Sequence, residues 1–271
     1  MSMVADGLGL VRCTSLTHDR AVLGARSLLV GTQAPAWLWS RPVAHRGLHD
    51  AARPENSLAA FEAAARAGHP IELDVHRTAD GHAVVFHDDD LSRMTGRPGR
   101  VADATLAELR ALPLLGTDER IPSLDDVLAL VHGRVPVLVE LKAHPPYGLL
   151  EQAVRDTLRR QPGAYAVQSF DPWSLVWLRR HAPELPRGML SCDFHDEDLP
   201  RHHKLVLRHL LLAPLVRPSF IGYDWHALPH WAPTALRRLG LPLLAWTVRT
   251  TEELSRARGL VDNVIFEYVQ P

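Results

Sequence analysis

The chain has 271 residues, 46% of them apolar and 23% charged, with a formal net charge of −1. That profile fits a soluble globular protein, either one large barrel or two small domains. The near-neutral balance excludes a broad nucleic-acid-binding face, which needs a clear basic excess. No run of about 20 apolar residues marks a transmembrane helix, and the N-terminus lacks the basic start and long apolar core of a secretory signal. Cys13 and Cys192 offer neither a disulfide framework nor a metal spacing. A cytoplasmic protein is expected, with no stable membrane insertion and no nucleic-acid partner.

Residues 1–40 carry no identifiable chemistry and are expected to pack on the body of the protein. Ala21–Val30 has helical composition, and Ala34–Trp39 reads as an irregular apolar cover. From Arg41 strand and helix alternate. Pro42–Arg46 is a first strand; Asn56 or Ser57 caps a helix that runs to Arg66 and stops at Gly68. Ile71–His76 is the second strand, and Asp80-Gly81 turns into a strand at His82–His87. A loop-rich insertion follows at about 91–120, with a short helix at Leu106–Leu112. Further strands are expected at Val135–Lys142, Ala164–Phe170, Arg187–Cys192, Phe220–Asp224, Leu241–Val248 and Val261–Phe266. The helices between them start near Ser123, Gly148, Trp173, Leu199, Pro233 and Glu252. Roughly eight β/α units without a glycine-rich phosphate loop predict one (β/α)8 TIM barrel, domain 41–271, with a short insertion after the second strand. Pro271 comes too soon for a helix after the last strand, so Leu16–Val30 is expected to fill the groove left there.

Ile71, Leu73 and Val75 alternate with Glu72, Asp74 and His76. Other apolar strands also end in ionisable residues: His45-Arg46, His87-Asp88 and Glu140-x-Lys142. In a parallel barrel these ends gather at one mouth. Two inward carboxylates repel unless a cation lies between them. Glu72, Asp74 and Glu140 are therefore the candidate metal ligands, and an all-oxygen set suits one Mg2+ or Ca2+ ion. The simpler alternative is that Glu140 only pairs with Lys142. His45 and His87 titrate near neutrality and are candidates for acid and base. Arg46 and Lys142 would bind a phosphate, so a small phosphate ester is the expected ligand.

Taken in order, His45-Arg46-Gly47, Pro54-Glu55-Asn56, Glu72-x-Asp74, His87-Asp88, Glu140-x-Lys142, Gln168-Ser169-Phe170 and Trp246-Thr247-Val248 are familiar. The chain resembles the glycerophosphodiester phosphodiesterase family from about Arg41 to Phe266. The resemblance implies metal-dependent hydrolysis of glycerophosphodiesters to sn-glycerol 3-phosphate and an alcohol, with His45 and His87 as the acid–base pair. It implies that the substrate's glycerol hydroxyl attacks phosphorus and that water opens the cyclic phosphate. It also implies that Phe170 and Trp246 wall the substrate pocket. Ser57 replaces a more usual Thr, and Phe266-Glu267 stands where many members have Thr-Asp, so no contact from the last strand is assigned. The histidine-rich stretch 195–209 has no family counterpart and is expected to face solvent. One alternative is a lysophospholipase D acting on lysophospholipids, for which Trp37, Trp39 and Trp225 are the suggestive residues. The other is a non-catalytic phosphate-ligand binding barrel.

Overall fold

Strand and helix alternate from residue 41 onward, as the sequence pattern predicts. The computed structural model describes Leu29, residues 31–269 and Pro271, so the helix expected at Ala21–Val30 and the groove-filling expected of Leu16–Val30 fall, apart from Leu29, outside the described residues. The strands are β1 (Val43–Ala44), β2 (Ile71–Arg77), β3 (Ala83–Val85), β4 (Val137–Leu141), β5 (Tyr165–Ser169), β6 (Arg187–Ser191), β7 (Phe220–Asp224), β8 (Leu243–Val248) and β9 (Asn263–Phe266). The helices used below are α1 (Trp37–Ser40), α2 (Leu58–Ala67), α3 (Ser92–Thr95), α4 (Leu106–Arg110), α5 (Leu124–Val131), α6 (Leu149–Arg160), α7 (Pro172–His181), α8 (Arg201–Arg208) and α9 (Ala213–Val216).

All strands except β3 run parallel, and the ring closes because β1 pairs on both sides. Val43 lies opposite Ile265 of β9, and Ala44 lies opposite Ile71 of β2. This is the expected (β/α)8 barrel. β3 instead pairs antiparallel with β2, Val75 opposite Val85. The turn between them is set by Thr78 Oγ1, which donates to Asp80 Oδ1 at 2.6 Å, and by Gly81 at φ +91°. That conformation is open to glycine and strained for other residues. The insertion that follows has its own apolar cluster, including Val84, Phe86, Leu91, Met94, Leu109 and Ile121. Among the described residues no helix follows β9.

Local sequence explains the helix limits. Ser57 caps α2 by accepting from the Ala60 N–H, and Gly68 closes it at φ +75°. Its buried face is Ala60, Phe61, Ala64 and Ala65, a stripe at helical spacing turned to the barrel. Ser123 closes a capping box with Asp126 at the start of α5. The helix expected over 199–212 is shorter, Arg201–Arg208, and a separate short helix begins just beyond that span at Ala213. Leu210 sits at φ +53°, which ends α8, and Pro214 opens α9 in the first turn, where its missing N–H is harmless.

Inside the barrel apolar residues, most of them first or second in their strands, pack as a plug, with Ile265 of β9 as its layer nearest the mouth. Val43, Leu138, Ala166, Phe220, Leu244 and Ile265 cluster with Leu38 of α1, all essentially inaccessible. The apolar cover expected at Ala34–Trp39 is thus seated under the barrel. Asn263 Nδ2 ties it down, donating to Leu38 O at 2.9 Å and Arg41 O at 2.6 Å. A β-carbon on Gly188 would lie 2.2 Å from the Phe220 ring, so glycine there makes room for phenylalanine on the neighbouring strand. With this end filled, function is left to the other.

Candidate active site

β2 places Glu72 and Asp74 two residues apart on one face, and the register of β4 sets Glu140 directly opposite Asp74. Each offers an oxygen within 4.8 Å of the others, and all three are buried. Burial, with Asp74 and Glu140 beside it, pushes the Glu72 carboxyl well above its usual range. Burial raises Glu140 as well. Burial also opposes ionisation of Asp74, but Lys142 and Arg46 outweigh it and hold this carboxyl well below its usual range. Two carboxyls that resist ionisation beside one that is ionised form an under-neutralised oxygen cluster, the arrangement a hard divalent cation would relieve. The donor set fits such an ion.

Lys142 Nζ lies 2.5 Å from Glu140 Oε1 and 3.0 Å from Asp74 Oδ1. The pairing weighed as an alternative to a metal cluster therefore coexists with that cluster. Arg46 turns at φ +55° just past β1, which aims its backbone N–H at Glu72 Oε2, 3.2 Å away. Its side chain reaches Glu55 at 2.7 Å and Asp74 at 3.2 Å. Both cations expected to meet phosphate are thus held beside the carboxylates.

His45 follows β1 and His87 follows β3. Burial is the main cause that lowers both imidazoles below 6.5. His87 Nδ1 lies 2.7 Å from Asp88 Oδ1, and Arg93 of α3 donates to Asp88 at 2.5 Å and to Glu55 at 2.7 Å. The insertion is tied to the mouth through this arginine. His76 Nε2 contacts His87 O at 3.0 Å and helps fix that loop.

These groups share a cavity of about 170 Å³ lined by His45, Arg46, Glu72, His87, Glu140, Lys142, Gln168, Phe170 and Trp246. Phe170 and Trp246 meet edge to face in its lining, 5.3 Å between ring centroids. A wider cleft of about 720 Å³ adjoins it, sharing His87, Glu140, Lys142 and Phe170.

Several neighbours escaped the sequence reading as site residues. Asn56 Nδ2 donates to Asp74 Oδ2 at 2.9 Å, so the residue before the α2 cap serves the carboxylate. Gln168 Nε2 approaches Glu72 Oε1 at 3.4 Å. Both lay in quoted motifs, and the strand register was the signal that joins them to β2. Glu267 lies beside His45, on the strand end from which no contact was assigned. In contrast, Trp37 and Trp39 sit at the plugged end, away from the mouth, and Trp225 packs partly against the core. His195, His202 and His203 face solvent as expected, whereas His209 is half-buried and stacks on His230, 4.9 Å between centroids. Among the described residues no helix is long and apolar enough to cross a membrane.

The family model described as "Glycerophosphoryl diester phosphodiesterase family" matches residues 45–270. A glycerophosphodiester phosphodiesterase of Caldanaerobacter subterraneus subsp. tengcongensis is 31% identical over 239 residues, spanning 82% of this chain and 92% of the relative. Among solved structures, an Oleispira antarctica phosphodiesterase in complex with the product sn-glycerol-3-phosphate superposes with a TM-score of 0.73 at 24% identity, covering 85% of this chain and 93% of that one. A glycerophosphodiester phosphodiesterase of Thermotoga maritima does so with a TM-score of 0.64 at 27% identity, covering 83% and 94%. The ordered motifs, the closed parallel barrel and these matches agree: the chain belongs to the glycerophosphoryl diester phosphodiesterase family.

Proposed function

We propose that this protein hydrolyses glycerophosphodiesters to sn-glycerol 3-phosphate and an alcohol, using one divalent cation, Mg2+ or Ca2+, held by Glu72, Asp74 and Glu140. The observation that carries this reading is a cluster of three buried carboxylates, two of which, Glu72 and Glu140, line one small cavity with His45 and His87. A bound cation would supply neutralisation of the carboxylates and polarisation of a phosphoryl oxygen. Arg46 and Lys142 would add positive charge where the phosphate's negative charge develops. One of His45 and His87, with its Nε2 unprotonated, would take the proton of the attacking glycerol hydroxyl, while the other, protonated on its cavity-side nitrogen, would give a proton to the departing alkoxide; water would then open the cyclic phosphate to glycerol 3-phosphate. Phe170 and Trp246 would shield the reacting centre and orient the substrate.

The test is glycerol 3-phosphate release from glycerophosphocholine and glycerophosphoethanolamine, first with metal-stripped protein, then with Mg2+ or Ca2+ restored. Release that returns with the cation is the expected result. No release from folded, metal-loaded protein would overturn the reading, and release from lysophospholipids alone would move the substrate class to diesters that keep an acyl chain.

A further inference from the structure

Glu267, directly after β9, has an exposure of 7%, and its Oε1 lies 2.5 Å from His45 Nδ1. The carboxylate is fixed from several sides. Arg249 Nε donates to Oε2 at 2.7 Å, and the Glu267 N–H donates to Val248 O at 3.0 Å. An ionised carboxylate only accepts hydrogen bonds, so Nδ1 must carry the imidazole proton. In the neutral ring Nε2 is then left without a proton, 3.8 Å from Glu72 Oε2, which lines the cavity. His87 is held in the same way, Nδ1 to Asp88 and Asp88 to Arg93. One carboxylate is the next residue in the chain; the other is 222 residues away and arrives through barrel closure. Two histidines in the same histidine–carboxylate–arginine arrangement indicate a device serving the rings rather than an isolated ion pair.

We propose that Glu267 is the positioning residue for His45, fixing its ring orientation and its Nδ1–H tautomer so that Nε2 faces the reacting phosphate. This rests on the reading of His45 as a proton-transfer group. The decisive variant is Glu267→Gln. Arg249 Nε donates to the side chain at 267, and an amide that keeps this bond through its oxygen turns its NH2 to His45. Nδ1 then becomes the acceptor, and the proton moves to Nε2, the wrong tautomer for a base.

The experiment measures kcat and KM on glycerophosphocholine for Glu267→Gln in the wild-type and His45→Ala backgrounds. Alongside it, 15N NMR of histidine-labelled protein reads the His45 tautomer, with His45→Ala assigning the signal. The expected result is a kcat loss of roughly 10²–10⁴-fold in the wild-type background with KM changed less than about 2-fold. In the His45→Ala background the further loss should be under about 2-fold, because residues that act as a unit are not additive. The NMR signal should move from Nδ1–H to Nε2–H. A kcat within about 3-fold of wild type, an equal loss in both backgrounds, or an Nε2–H ring in the wild type would each overturn the proposal. The tautomer is read without turnover, so it decides the Glu267–His45 link even if the wild type releases no glycerol 3-phosphate.

Discussion

The two ends of the barrel are built by the same strands to opposite specifications. Near the strand starts, Val43, Leu138, Ala166, Phe220 and Leu244 close over Leu38 with almost no accessible surface. Toward the mouth, Glu72, Asp74, Glu140 and His45 are nearly as deeply buried but ionisable, with the half-buried Lys142 and Arg46 beside them. Apolar burial stabilises the first end in proportion to the area removed from water. Burying charges at the second end gives little net stability, because desolvation offsets their attraction. The plugged end therefore holds the fold, and the mouth can keep ionisable groups that add little to stability.

The largest expected effect separates the ends by activity. His45→Ala or His87→Ala should lower turnover by ~10²–10⁴-fold while Tm hardly moves. Near wild-type turnover in either variant would remove that histidine from the chemistry and break the contrast. At the other end, Leu38→Ala should cost about 2–5 kcal/mol in denaturant unfolding, since the cavity it leaves is surrounded by rigid strands. Its kcat per folded molecule should stay within about 2-fold of wild type; a selective loss of kcat would show that the two ends are mechanically coupled. The smallest effect sharpens the packing account. Gly188→Ala should cost ~1–3 kcal/mol, because the new methyl group meets the Phe220 ring. An unchanged melting curve would mean that Phe220 has room to withdraw.

Much of this was legible in the chain. The alternation along Ile71–His76 and the charged ends of β1, β2 and β4 located the mouth, because strand period and parallel direction are local properties. Asp80-Gly81 and Ser57 marked the hairpin and the α2 start through turn and cap chemistry alone. The early end of α8 was not legible: a left-handed Leu210 is a conformation that nothing in its side chain favours.

Sequence by itself determined the strand and helix order, the family resemblance, and that Glu72, Asp74, Glu140, His45 and His87 belong together. Only the tertiary structure decided the company those residues keep. Lys142 lies between Asp74 and Glu140, Asn56 holds Asp74, and Glu267 holds His45. The physical reason is that side-chain identity and spacing encode local geometry, whereas the meeting of β1 with β9 is fixed by closing the ring, a condition that all eight parallel strands satisfy jointly.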